Sequence, residues 1–175
     1  MINYFKHRQI DKNKWDKLIS DSQNPSIYGL SWYLDSVCPE WDAFIMNDYE
    51  AVMPVPFNKF LGFKYIQHPF FTQQLGVFYK KNCTEEFLEA LNKKFSSYIL
   101  KLNEKNQIET NVKGMKYELM PNYVLNLNDK YEIIKSRFSS NTSRNLNKAL
   151  KNNLHIKDVD VNDIIKLERE NTQFP

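Results

Sequence analysis

The chain has 175 residues, 42% of them hydrophobic and 14% aromatic, with 24 basic and 21 acidic residues and a net charge of +3. That length and apolar content suit one packed domain and exclude a disordered tail, while the charge is too balanced to imply nucleic-acid binding from composition alone. The opening "MINYFKHRQIDKNKW" carries charge from Lys6 onward and reads as no signal peptide, and no run approaches the roughly 18 apolar residues of a membrane span.

Taken in chain order, "YFKHR" (4–8) reads as a short strand. "DKNKWDKLISDS" (11–22) reads as a helix with Asp11 as N-cap and Trp15, Leu18 and Ile19 on one face. Pro25 ends it, and "LSWYLDSV" (30–37) reads as a second helix, with Ser31 near its start and Pro39 after its end. "WDAFIMNDYEAVMPVPF" (41–57) reads as a β-hairpin turning at Asn47 and Asp48, which both tolerate a left-handed backbone. "GFKYIQ" (62–67) and "LGVFY" (75–79) are two further strands.

Thr84 is expected to cap a long helix. Phe87, Leu88, Leu91, Phe95, Tyr98, Ile99 and Leu102 recur at helical spacing over four turns. "IETNVK" (108–113) and "ELMPNYVLNL" (118–127) follow as strands, and Asp129 with Glu132 forms a capping box before "YEIIKSRF". "NTSRNLNKALKNN" (141–153) is a helix, "HIKDVDV" a strand and "NDIIKLERE" the start of a helix. This order predicts an α+β fold with one mixed, mostly antiparallel sheet flanked by helices. The expected division is a domain over 1–128, a basic helical linker over 129–153, and the opening of a second domain over 154–175.

Glycines are few, at 29, 62, 76 and 114, and none builds a nucleotide-binding loop. Cys38 and Cys83 make neither a metal spacing nor a disulfide framework, and His7, His68 and His155 are scattered. The expectation is a cytoplasmic protein with reduced thiols, no metal and no membrane association.

Two stretches carry candidate chemistry. From Ala51 to Thr84 there is no Asp or Glu, but there are Lys59, Lys64, Lys80, Lys81 and eight aromatic residues. Such interleaving suits an anionic ligand with a flat group; it equally suits strands whose lysines guard exposed ends. Within it, Gln73 and Gln74 interrupt the apolar run "HPFFTQQLGVFY". They read either as amides offered to a ligand or as an ordinary surface loop. The second stretch, 135–157, has six basic residues and no carboxylate. Arg144, Lys148 and Lys151 line one helix face, while Leu146, Ala149 and Leu150 lie on another. Its Ser/Asn/Thr-rich start would offer free backbone N–H groups to an anion; a solvated basic face explains the pattern as well.

"RNLNKAL" resembles the Arg-Asn-Ile-Lys-Lys-Ala signature of FemABX-like proteins, double-domain members of the GNAT acyltransferase superfamily. Trp32, Tyr33, Leu34 and Asp35 before the hairpin, and Phe71 to Gly76 after the sheet, also resemble the first half of GNAT-like proteins. The resemblance spans about residues 26–152. It implies transfer of an acyl or aminoacyl group, from acyl-CoA or aminoacyl-tRNA, to a small-molecule or peptide-like amine, with tRNA as a partner. It places Trp32, Tyr33, Gln73 and Gln74 at a substrate cleft where the sheet splays, and Arg144, Asn145 and Lys148 on a substrate phosphate. The family often has Lys or Arg where this chain has Ser143 and Asn147. Each such contact is worth ~1.5–3 kcal/mol when made. Tyr33, Asp35, Glu40 and His68 are the candidates for a proton-accepting group. The alternatives are a non-catalytic ligand-binding domain of the same fold and an anion- or RNA-binding module.

Overall fold

The computed structural model describes residues 1–171 except Pro39, Gly62, Thr110 and Asn111, and gives backbone alone for Phe60 and Phe63. The chain divides into two compact units, Met1–Asn122 and Tyr123–Pro175.

The first unit is α+β. Strand β1 (Ile2–Phe5) is followed by helices α1 (Lys12–Asp21) and α2 (Ser31–Val37), then by strands β2 (Trp41–Met46), β3 (Ala51–Phe60), β4 (Phe63–Gln67) and β5 (Phe78–Tyr79). Helix α3 (Thr84–Lys94) leads to β6 (Tyr98–Ile99). The six-stranded sheet runs β1-β2-β3-β4-β6, with β5 on β3. Every strand pair is antiparallel except β4 with β6.

Strand β3 divides its second edge. Val52 pairs with Phe78 of β5, and Phe57 onward pairs with β4. Between them β3 has only β2 beside it, and Pro54 and Pro56 sit there. A proline lacks the N–H that a strand edge would donate, so an unshared stretch of edge is where two prolines cost least. The sheet therefore opens between β4 and β5.

Alternation along the strands builds one core on each face. Trp41, Ala43 and Ile45 join Trp15, Leu18, Ile19 and Leu34 from α1 and α2. Phe44, Met53 and Val55 join Phe87, Leu88 and Leu91 from α3. Asp11 caps α1 as its residue type predicts, accepting from the backbone N–H of Asn13 and Lys14 at 3.0 and 3.1 Å.

Several elements differ from expectation. The first strand lies at 2–5, because the chain turns into a short 3₁₀ helix at His7–Gln9. In the hairpin turn it is Asn47 and Tyr49, rather than Asp48, that take positive φ, at 49° and 60°. Helix α3 stops at Lys94, and Asn82 Oδ1 accepts from both the Thr84 backbone N–H and its hydroxyl. Tyr98 and Ile99 leave the helical stripe to pair with β4, a partnership two aromatic and β-branched side chains favour over helix. No strand forms over the described residues of 108–113 (Thr110 and Asn111 lie outside them) or over 118–127.

The second unit holds α4 (Tyr131–Ser136), α5 (Ser140–Lys151) and α6 (Val161–Asn171). Asp129 does not cap α4; it binds Arg137 Nη1 at 2.8 Å. Ser139 caps α5, accepting from Thr142 N at 3.1 Å. Residues 155–160 form no strand.

Candidate functional site

Two cavities lie beside Glu40 and Phe57, one bordered by the C-terminal end of α2 and the end of β4, the other by the segment after β1 and the start of β2. One, of about 340 Å³, is lined by Val37, Cys38, Glu40, Phe57–Lys59 and Gln67–Phe70. The other, of about 410 Å³, is lined by Lys6, His7, Arg8, Glu40, Trp41, Asp42 and Phe57. Glu40 and Phe57 border both.

The carboxylate-free stretch finds its counter-ions across this hairpin. Lys59 donates to Glu40 Oε1 at 2.6 Å, and Lys64 to Asp42 Oδ2 at 2.7 Å. The Lys64 ammonium also lies 3.5 Å from the centre of the Phe57 ring. Asp42 is buried and accepts further bonds from Tyr4 Oη at 2.7 Å and from the His7 backbone N–H at 2.9 Å. Burial pushes its carboxyl up, but the bonds from Lys64, Tyr4 and His7 outweigh that and hold it below the usual carboxylate range. Tyr4, by contrast, is pushed well above the ordinary phenol value by burial and by its bond to the Asp42 carboxylate.

A second cluster surrounds Asp35. It accepts from Lys12 Nζ at 2.6 Å and from Trp41 Nε1 at 3.0 Å. His7 Nε2 lies 3.0 Å from Asp35 Oδ1, off the line of a hydrogen bond, and is buried with no hydrogen-bond partner. The His7 ring stacks on Trp41 at 4.8 Å between centres. Burial raises the Asp35 carboxyl, while the Lys12 and Trp41 bonds and the neighbouring Lys12 and His7 charges bring it below its ordinary value.

The residues singled out from the sequence fall in three places. Trp32 and Tyr33 sit on α2; Trp32 is 54% exposed, and its ring meets that of Tyr33 edge-on at 5.8 Å. Tyr33 Oη donates to Phe71 O at 2.6 Å, tying α2 to the loop after β4. Gln73 and Gln74 lie in that loop just before Leu75, whose N–H donates to Lys101 O at 2.8 Å. Gln73 is exposed and donates to Asn122 Oδ1 at 3.1 Å. None of these four side chains lines either cavity. Arg144, Asn145 and Lys148 belong to the second unit, exposed on α5, with Arg144 Nη2 donating to Asn141 Oδ1 at 2.8 Å.

Each candidate proton acceptor is engaged. Asp35 and Glu40 are paired with lysines, Tyr33 donates to a carbonyl, and His68 uses both ring nitrogens. What sequence reasoning missed is the set His7, Asp42, Lys64 and Phe57. His7 and Asp42 are 35 positions apart, so no spacing pattern unites them. The one available signal was an acidic residue inside the apolar strand "WDAFIM". Among the described residues no group of three or more His, Cys, Asp or Glu could hold a metal ion, and no helix is long and apolar enough to cross a membrane. No family model matches the chain, and searches of curated proteins and of solved structures gave no match.

Proposed function

We propose that this chain is the acceptor-binding part of an N-acyltransferase of the GNAT/FemABX kind, taking a peptide-like or small-molecule amine. The observation that carries the reading is the opening of the sheet between β4 and β5, with the 340 Å³ cavity at the end of β4. That opening stands where the resemblance puts a substrate cleft, and Tyr33 reaches the loop that walls the cavity. The lining mixes an apolar wall, Val37, Phe57 and Phe70, with the Asn58 and Gln67 amides and the Glu40–Lys59 pair. Such a mixture fits a ligand with amide groups and a hydrophobic part.

In this reading the amine attacks the acyl carbon of acyl-CoA or aminoacyl-tRNA directly. The protein contributes placement of both reactants and a hydrogen bond to the developing oxyanion. The groups on the cavity wall orient the acceptor; as the amide bond forms, the acyl carbon's bond to the CoA sulfur or the tRNA ribose oxygen breaks, and the amine's proton passes through water to that leaving thiolate or alkoxide.

Calorimetric titration of acetyl-CoA, and separately of lysine-containing peptides, at low and moderate salt tests this. Saturable binding of peptide amine is expected, and Phe57→Ala should weaken it. Saturable acetyl-CoA binding would add a donor site to this chain. Peptide binding without any donor binding or turnover would favour the non-catalytic ligand-binding domain. No binding of either would overturn the proposal.

A second reading rests on α5, where Arg144, Lys148 and Lys151 are exposed and none makes an ion pair among the described residues. That face would hold a phosphate or an RNA backbone. Affinity for a short RNA would then fall steeply with salt, and replacing Arg144 and Lys148 together by alanine would flatten the slope by about two contacts.

A further inference from the structure

The loop after β4 closes on itself through one histidine. His68 Nε2 lies 2.8 Å from Thr72 O, and Lys101 N lies 3.3 Å from His68 Nδ1. A carbonyl can only accept and a backbone N–H can only donate. The ring is therefore the neutral tautomer with its proton on Nε2, donating to Thr72 and accepting from Lys101. Inside the closed turn Phe71 takes φ +61°, a left-handed conformation that costs a bulky side chain energy. Two side-chain bonds hold it there, the His68–Thr72 bond and the Tyr33 Oη bond to Phe71 O. The same turn supplies His68, Pro69 and Phe70 to the wall of the 340 Å³ cavity.

We infer that residues 68–72 form a proton-sensitive lid on this cavity, closed while His68 is neutral and released when it is protonated. A second ring proton would sit on Nδ1 and face the Lys101 N–H, turning an accepted bond into a donor–donor clash. The charged surroundings give the imidazolium no support. Lys101, in the segment after β6, brings a like charge, and across the cavity Glu40 is already paired with Lys59 at 2.6 Å. The other titratable group on the cavity wall, the Cys38 thiol, is pushed up by burial and stays neutral. Burial and the Lys101 charge lower the His68 value, the Thr72 bond opposing them. The closed lid thus binds fewer protons than the open one. Closure is at full strength above the ordinary histidine value of about 6.5 and is lost as pH falls below it, about tenfold per unit until the closed-state value is reached. This holds whatever the cavity binds.

Amide hydrogen exchange of the Lys101 N–H, which donates to His68 Nδ1, read by NMR at pH 7.5 and 5.0 and corrected for intrinsic rates, tests the lid. In the wild type, protection should be lower at pH 5.0 than at pH 7.5. His68→Gln keeps an amide donor for Thr72 but cannot titrate, so its protection should not change with pH. Tyr33→Phe, which removes the other bond on Phe71, should exchange faster at both pH values. Unchanged protection in the wild type, or an equal loss in His68→Gln, overturns the inference.

Discussion

Asp42 keeps its charge although only 4% of its side chain is exposed, because three donors from three different segments converge on it. Removing the carboxylate would leave the Lys64 ammonium half-buried without its partner. Asp42→Ala should therefore lower unfolding stability by about 3 kcal/mol or more in a denaturant titration at neutral pH. Because the folded-state carboxyl lies below its ordinary value, its contribution is complete above about pH 4 and fades as pH falls below that. Wild type and Asp42→Ala should accordingly converge in stability toward pH 2. Gly76 shows the same dependence on remote residues. Its φ is +104°, and a Cβ there would lie 1.9 Å from Asn106 Oδ1. Asn106 uses that crowded position to accept from Val77 N at 3.0 Å and donate to Val77 O at 2.7 Å. Asn24 donates to the same carbonyl at 2.7 Å. Two buried amides thus bond the backbone where a neighbouring strand is missing.

At the scale of elements, the helices that could be read are those whose start signal and apolar face agree. For α1, the Asp11 cap and the Trp15, Leu18 and Ile19 face lie within one short window, and local sequence is sufficient. Asp11→Ala should cost about 1 kcal/mol, measured as a shift in the urea midpoint with an unchanged slope. A cost near zero would mean that the Asp11 N–H bond to Tyr49 Oη, rather than the carboxylate, holds this helix start. Helix α3 went the other way. Its stripe was legible as far as Leu91, but Tyr98, Ile99 and Leu102 keep helical spacing while serving sheet and bridge contacts. Periodicity records which residues are apolar. It cannot tell whether a strand edge stands nearby to receive them. The same limit explains β5, a two-residue strand flanked by asparagine amides, and the absence of strands over 118–127.

Among the described residues, every buried hydrophobic side chain belongs to the first unit and none of the second unit is buried. A fragment of residues 1–122 should therefore melt as one cooperative transition close to that of the full chain. A fragment of 123–175 should show only weak, non-cooperative helix by circular dichroism, since helices of this length are marginal without a core. Loss of cooperative folding in the first fragment would show that the second unit supplies stability that burial within each unit does not account for. Of the residues singled out from the sequence, Tyr33 lines neither cavity and touches the candidate site only through its bond to Phe71 O in the loop after β4. Gln73 and Gln74 lie in that loop, yet neither lines a cavity. His7 and Asp42 were invisible because their meeting depends on β1 pairing with β2.

By itself the sequence determined the α+β class, helix α1 with both its cap and its apolar face, the hairpin, and the long stretch free of carboxylates. Those are local properties, set by side-chain type and period within a few residues. Only the tertiary structure decided which carboxylates neutralise that stretch, where the sheet opens, and how His68 closes its loop. Each of these joins segments distant along the chain, and the free energy that selects them comes from burial and pairing that exist only once the strands have met.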